Sequence, residues 1–333
     1  MNVLSLFDGM ACGLVALKRS GIQVDNYYAS EIDKYAIQIA KKNHPEIQHL
    51  GNIEDYESWD LPKIDLIIGG SPCQGFSFAG KQLNFNDPRS ALFFKFVEIL
   101  WKFKPDNFLM ENVKMKKEYS EAISELLEVE PVLINSALVS AQNRKRLYWC
   151  DWDVDQPEDK EIFLKDIAGG NGGWGKTGIK QSGCVMVGLK SGNGSHEIQR
   201  RVYSQIGKAP TLMAMNTGGP TPPLIFIGGI EKGRRLHDGK DLSRNFREGS
   251  RIYHTDGKSA ALTGQPKGGD GGYTGLYGIS KTDYRRLTPI ECERLQTLPD
   301  NYTEGVSNTQ RYKMIGNGWT VDVIKHIFES IEI

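Results

Sequence analysis

Over its first 150 residues the chain alternates short apolar runs with segments of helical periodicity, and few folds accommodate that alternation. Val3-Leu4-Ser5-Leu6-Phe7 predicts a strand that runs into a glycine-containing turn, with a helical stretch from Leu14 to Arg19. Tyr27-Tyr28-Ala29-Ser30 predicts a second strand, with a helix after Asp33. Ile64-Asp65-Leu66-Ile67-Ile68 has the character of a buried strand and ends in Gly69-Gly70. Ser90 to Phe103 has helical spacing, and Phe108-Leu109-Met110 predicts a further strand. A helix near Glu118 to Leu127 and strands near Val132-Leu133-Ile134 and Leu147-Tyr148-Trp149 complete the series. Strands separated by helices of this length imply an α/β fold with a doubly wound, mostly parallel sheet. Ligands on such sheets bind beyond the carboxyl ends of the strands.

The composition changes after Trp152. The acidic stretch from Asp151 to Glu161 reads as a linker, and residues 165–280 hold 26 of the 37 glycines. This predicts a smaller, loop-rich, mostly β region. It contains an internal echo: Arg201-Val202-Tyr203 with Gly207-Lys208-Ala209 and Leu212 matches Arg251-Ile252-Tyr253 with Gly257-Lys258-Ser259 and Leu262, 50 residues later. Two copies are too few for a solenoid and suggest two similar strand-turn-strand units. From Thr288 the pattern is helical again, with Thr288 as N-cap before Pro289. Val321 to Ile331 is a last amphipathic stretch. These C-terminal residues are expected to rejoin the first domain, which gives one domain from 1–155 and 286–333 and another from 156–285.

Charge is segregated along the chain. The formal net charge is zero, yet from Lys165 to Arg286 there are 19 Lys plus Arg against 9 Asp plus Glu. On charge alone, a face that meets a polyanion and loops carrying solvated charges explain this equally well. The five cysteines are widely spaced with no C-x-x-C, which argues against a disulfide framework and a zinc site and predicts no bound metal. No run of about 18 apolar residues suggests a membrane span. Met1 to Phe7 lacks the basic start of a signal peptide, so a cytoplasmic protein is expected.

Three segments at predicted strand ends carry chemistry. Phe7-Asp8-Gly9-Met10-Ala11-Cys12-Gly13 follows the first strand, and Glu31, 18 residues beyond Gly13, closes the second. Glycines between strand and helix let a ligand approach the backbone, and an acid at a strand end suits ribose hydroxyls. Gly70-Ser71-Pro72-Cys73-Gln74-Gly75-Phe76-Ser77 puts a cysteine in a loop after the strongest strand, an unusual place for a packing thiol. Its sulfur would be a strong nucleophile if nearby cations or dipoles lowered its pKa. Glu111-Asn112-Val113 ends a later strand, and Gln142-Asn143-Arg144-Lys145-Arg146 brings two arginines to the start of another. A nucleophile, a carboxyl group and two cations at the strand ends of one sheet constitute a candidate site.

Taken in order, these segments resemble the cytosine-C5 DNA methyltransferase family of bacterial or phage type. The match spans nearly the whole chain. It includes Phe7 and Gly9, Glu31, Pro72-Cys73-Gln74, Asp87 with Arg89 and Leu92, Glu111-Asn112-Val113, and Gln142 with Arg144 and Arg146. Arg286-Leu287-Thr288, Glu291, Leu295-Gln296, Pro299-Asp300 and Gly316-Asn317-Gly318 complete it. Phe7-Asp8-Gly9 and Gly318-Trp319-Thr320 are similar to the animal de novo methyltransferases, and Ala11-Cys12 stand where the family has small glycine positions.

The resemblance implies a Rossmann-like domain that binds S-adenosylmethionine, leaves S-adenosylhomocysteine as product, and uses Cys73, Glu111, Arg144 and Arg146 in catalysis. Cys73 would add to C6 of cytosine, and the enamine so formed would attack the methyl group. Glu111 would engage the N3 and amino edge, Arg146 would bind O2, and Arg144 would help to position the site. Phe7, Gly9, Glu31, Asn52, Ile53, Pro72, Leu92, Asn317 and Thr320 are assigned to the cofactor, with Asn52 where the family commonly has Asp. The partner would be double-stranded DNA whose target base is flipped out, with residues 156–285 as target-recognition domain. A monomer is expected, and a cognate restriction endonuclease is a further partner such systems admit. Two other readings share the scaffold. Transfer to tRNA is disfavoured by the large basic insert. A catalytically silent DNA-binding protein is disfavoured by the intact Cys73, Glu111, Arg144 and Arg146 set.

Overall fold

The computed structural model describes residues 1–71, 91–167 and 287–332, together with short strand segments between 186 and 285. The chain divides into two compact units. The first comprises Met1–Ile134, Lys145–Pro157 and Val321–Ile333, and the second Asn135–Arg144 and Glu158–Thr320.

The first unit is built on a seven-stranded sheet. Its strands are β1 (Asn2–Leu6), β2 (Asn26–Ser30), β3 (Gln48–Gly51), β4 (Leu66–Gly69), β5 (Asn107–Val113), β6 (Val132–Asn135) and β7 (Lys145–Cys150). They lie in the order β3-β2-β1-β4-β5-β7-β6. Pairings from β3 through β5 are parallel, and β7 runs antiparallel to β5. The mostly parallel, doubly wound sheet expected from the sequence is therefore present. The strand order reverses between β1 and β4, and on sheets of this kind ligands bind at that switch point, beyond the carboxyl ends.

Helices α1 (Cys12–Arg19), α2 (Lys34–Asn43), α3 (Ala91–Phe103) and α4 (Lys117–Leu127) connect the strands. Asp33 starts α2 because its carboxylate accepts from the amides of Tyr35 (2.9 Å) and Ala36 (3.4 Å), two donors that the helix itself leaves unpaired. Side chains alternate along β1. Leu4 and Leu6 join Tyr28, Ile67, Phe93, Phe96, Met110 and Trp149 in a buried apolar core, while Ser5 points to the other face. The final helix of the first unit, Val321–Phe328, packs against α1, and Arg19 and Asp322 form an ion pair at 2.8 Å.

In the second unit, α5 (Leu164–Ile167), α6 (Pro289–Leu295) and α7 (Asn308–Asn317) precede that final helix, which is α8. The predicted cap of α6 is a full capping box. Thr288 Oγ1 accepts from the Glu291 amide at 3.2 Å and Glu291 Oε2 accepts from the Thr288 amide at 2.8 Å. Much of the predicted loop-rich β region lies outside the described residues. Both copies of the internal echo include strands, Arg201–Tyr203 and Ile252–Tyr253, which pair in parallel with Leu224–Ile225 and Leu276–Gly278 respectively. Among the described residues no helix is long and apolar enough to cross a membrane, and no group of three His, Cys, Asp or Glu could hold a metal ion.

Candidate active site

The turn after β1 is set by its backbone. Phe7, Gly9 and Ala11 have φ of 58°, 62° and 66°, so three of five consecutive residues are left-handed. A left-handed non-glycine residue costs roughly 1–2 kcal/mol, and Phe7 and Ala11 both bear that strain. The turn is held to the second strand by the Asp8 amide, which donates to Ser30 O at 3.1 Å. The Gly9 amide donates to Glu31 Oε2 at 2.8 Å.

Glu31 stands at the end of β2 with its other oxygen, Oε1, accepting from the amides of Ile32 (2.7 Å) and Asp33 (2.8 Å). Three backbone donors thus fix the orientation of the carboxylate. A carboxylate has about four lone-pair sites, so one remains to accept from a ligand hydroxyl. That matches the chemistry of a ribose diol beside a turn closely approached by backbone. Asn52 is exposed at the end of β3, and its Oδ1 accepts from the Glu54 amide at 3.2 Å as a cap. Ile53 is buried and Leu92 half-buried against the same core.

Asp8 was no more than a spacer in the sequence motif, but it is the most perturbed carboxyl group of this turn. Its Oδ1 accepts from Ser5 Oγ and from Tyr27 OH, both at 2.7 Å. Its Oδ2 is sealed from solvent without a hydrogen-bond partner. Burial pushes the Asp8 carboxyl up to about 7, against the pull of the two hydroxyl donors, and the negative charge of Glu31 adds to the rise.

Beyond β4 the described chain reaches Ser71, and Pro72 and Cys73 lie outside the described residues. Asn112 Nδ2 donates to Ser71 Oγ at 3.1 Å, a buried contact that ties the end of β5 to the residue before Pro72. Glu111 and Arg146 sit on β5 and β7. The strand register opposes Glu111 to Tyr148 and Val113 to Arg146, so the two charged residues are diagonal neighbours on one face. Arg146 Nε lies 2.8 Å from Glu111 Oε1, and both side chains are buried. The attraction between the two buried charges offsets part of the desolvation penalty that each suffers.

The other predicted residues belong to the second unit. Arg144 is buried and does not project as a free cation; it donates to the carbonyls of Gly316 (3.3 Å) and Gly318 (3.1 Å). Asn317 is exposed at the end of α7. Thr320 is buried, and its hydroxyl accepts from Ser136 Oγ at 2.9 Å and donates to Gln296 Oε1 at 2.8 Å. Among the described cysteines, burial pushes Cys150 up to about 11 and Cys292 well above the ordinary thiol value. Neither is ionised near neutral pH. The sequence motifs include Asp8, Ser71, Asn112 and Gln296, but nothing in them signals the burial of the Asp8 carboxyl, the Asn112–Ser71 contact or the hydrogen bonds of Gln296.

Comparison with known proteins gives one consistent result. The family model of C-5 cytosine-specific DNA methylase matches residues 1–332. An orphan methyltransferase, M.Rho11sI of Bacillus phage rho11s, is 32% identical over 84% of this chain, which spans 60% of that protein's length. The type II methyltransferase M.HhaI of Haemophilus parahaemolyticus is 26% identical over 99% of this chain and 94% of its own. A solved structure of Dnmt2 methyltransferase from S. pombe shares the fold, with a TM-score of 0.59 at 17% identity, covering 99% of this chain and 97% of that one. With a family match across almost every residue, the chain belongs to the C-5 cytosine-specific DNA methylase family.

Proposed function

We propose that the protein transfers a methyl group to C5 of a flipped-out cytosine in double-stranded DNA, through a covalent bond between Cys73 and C6. The observation that carries this reading is the buried Glu111–Arg146 pair on the same strand-end side of the sheet as Ser71, which directly precedes Pro72-Cys73. C5 of cytosine is a weak nucleophile. Addition of the Cys73 thiolate to C6 makes the ring an enamine whose C5 carries electron density. Glu111 engages the N3 and amino edge, where it can deliver a proton as negative charge builds. Arg146 binds O2 and Arg144 supports the site's charge. S-adenosylmethionine supplies the methyl group from its sulfonium. A base then removes the C5 proton, and the electron pair returned to the ring expels the thiolate.

Phe7, Gly9 and Glu31 suit the adenosine half of that cofactor, with Asn52, Ile53, Pro72 and Leu92 around it. Asn317 and Thr320 carry over from the family motif as its remaining contacts. We assign residues 1–155 and 286–333 to catalysis and 156–285 to target recognition, where Lys and Arg would meet phosphates and a few loop side chains would read bases. The protein would act as a monomer in a bacterial or phage-infected cytoplasm, alone or beside a cognate endonuclease.

Duplex DNA carrying 5-fluorocytosine tests this directly, because fluorine at C5 cannot leave as a proton and the adduct accumulates. Denaturing mass spectrometry should show a DNA adduct on Cys73 with the wild type and none with Cys73→Ser. Radiolabelled methyl transfer should appear on duplex DNA and not on tRNA. Absence of both adduct and transfer would favour a silent DNA-binding protein, and transfer to tRNA alone would replace the substrate.

A further inference from the structure

Gln296 follows α6 and is fully buried. Its amide is saturated. Nε2 donates to Ile315 O at 2.7 Å and to Gly318 O at 3.0 Å, while Oε1 accepts from Gln142 Nε2 at 3.1 Å and from Thr320 Oγ1 at 2.8 Å. A primary amide has two donor hydrogens and two lone pairs, so no capacity remains. Its orientation is also determined, because a flipped amide would set an oxygen against two carbonyls.

Three segments of the second unit meet at this side chain. The first is the end of α6, where Gln142 Nε2 and Ser140 Oγ both donate to Leu295 O, at 3.1 and 2.6 Å. The second is the stretch from Ser136 to Arg144. The third is the turn from Gly316 to Thr320. Gly318 O is shared between Gln296 Nε2 and Arg144 Nη2 (3.1 Å), so the two side chains grip one carbonyl. A buried network with every member satisfied specifies one geometry, and a single unmade bond within it is costly.

We propose that Gln296 is a positioning residue for methyl transfer: it holds the Gly316-Asn317-Gly318 turn and, through the shared Gly318 carbonyl, the Arg144 guanidinium in the arrangement the reaction uses. This rests on the methyl-transfer reading above. Gln296 is buried away from any ligand and acts through Arg144 and Asn317. Misplacement of a site by about 1 Å can cost roughly 100-fold in rate, which sets the scale of the effect.

The test compares steady-state methyl transfer to duplex DNA by the wild type, Gln296→Met and Gln142→Met, with thermal unfolding of each. Gln296→Met keeps the side-chain volume and removes all four bonds. Its kcat should fall about 10- to 100-fold while KM for DNA stays within about threefold. Gln142→Met, which removes one donor to Gln296 Oε1 and leaves its other three bonds, should fall in the same direction but less far. The double variant Gln296→Met/Gln142→Met should be no slower than Gln296→Met alone, a pattern that general loosening of the fold would not produce. Folded Gln296→Met and Gln142→Met proteins with near wild-type kcat would overturn the proposal, as would losses that simply multiply. If Gln296→Met fails to fold, Gln142→Met decides, and a wild-type kcat for it overturns the proposal. A wild type that transfers no methyl to cytosine overturns the methyl-transfer reading itself, whereas active wild type with indifferent variants overturns only the role of Gln296.

Discussion

Arg146 Nε and Glu111 Oε1 are 2.8 Å apart on neighbouring antiparallel strands, both buried, and each compensates a charge that the other leaves exposed to a low-dielectric interior. Arg146→Met should therefore destabilise the protein by about 3–5 kcal/mol, because it strands the Glu111 carboxylate. Glu111→Gln/Arg146→Met removes both charges and should lose less stability than Arg146→Met alone. Urea unfolding of the two single variants and the double checks this. Additive losses would show that the pair contributes nothing as a pair.

Much of the first unit was legible in the sequence, because short apolar runs with turn residues at their ends report strands directly. Val3 to Phe7, Tyr27 to Ser30 and Phe108 to Met110 all fall within or beside observed strands. Thr288 and Pro289 reported the start of α6 for an equally local reason. Strand direction was not legible. Leu147-Tyr148-Trp149 looks the same run forward or backward, and its antiparallel place between β5 and β6 follows from long-range pairing. The two arginines also look equivalent in sequence, yet Arg146 pairs with a carboxylate on β5 while Arg144 holds two glycine carbonyls in the second unit. Asp8 and Gln296 stand in motifs that the sequence displays, but their burial was not legible there, because burial of a polar group depends on what folds over it.

Glu31 takes hydrogen bonds from three backbone amides, one of them in the turn after β1. Its replacement by Ala removes the proposed ribose acceptor and frees the Gly9 amide together. Affinity for S-adenosylmethionine should weaken at least about tenfold, on the scale of one or two charge-assisted hydrogen bonds. DNA affinity should change far less. Calorimetry with each ligand separates the two, and a larger effect on DNA would reject the cofactor assignment.

Gly69 closes β4 against β1. A Cβ at that position would stand 2.8 Å from Leu6 O and 2.9 Å from the Phe96 ring. The ring can shift, but the carbonyl belongs to the paired strand and cannot move without disturbing the turn that follows Leu6. Gly69→Ala should cost about 1–3 kcal/mol in urea unfolding, the scale of an overpacked core. It should also weaken cofactor binding through the displaced turn. A variant with wild-type stability would mean that the two strands separate freely.

The Asp8 carboxyl, raised by burial from 3.8 to about 7, makes stability depend on pH in a direction opposite to that of an ion-paired acid. Below 3.8 the folded and unfolded states both hold the proton, and Asp8 contributes no pH dependence. Between about 4 and 7 the unfolded chain releases its proton while the folded protein keeps it. The folded state is then the one with more protons bound, so its stability falls as pH rises through this window and levels off above 7. The carboxyl accepts from Ser5 and Tyr27 and lies in the turn that Glu31 holds through the Gly9 amide, so the same ionisation loads a second negative charge onto that turn. Asp8→Asn keeps an oxygen to accept from both hydroxyls and cannot ionise. Urea midpoints measured from pH 4 to 8 should decline across the window for the wild type more steeply than for Asp8→Asn. Parallel curves for the two proteins would show that the Asp8 carboxyl ionises as freely in the fold as in water.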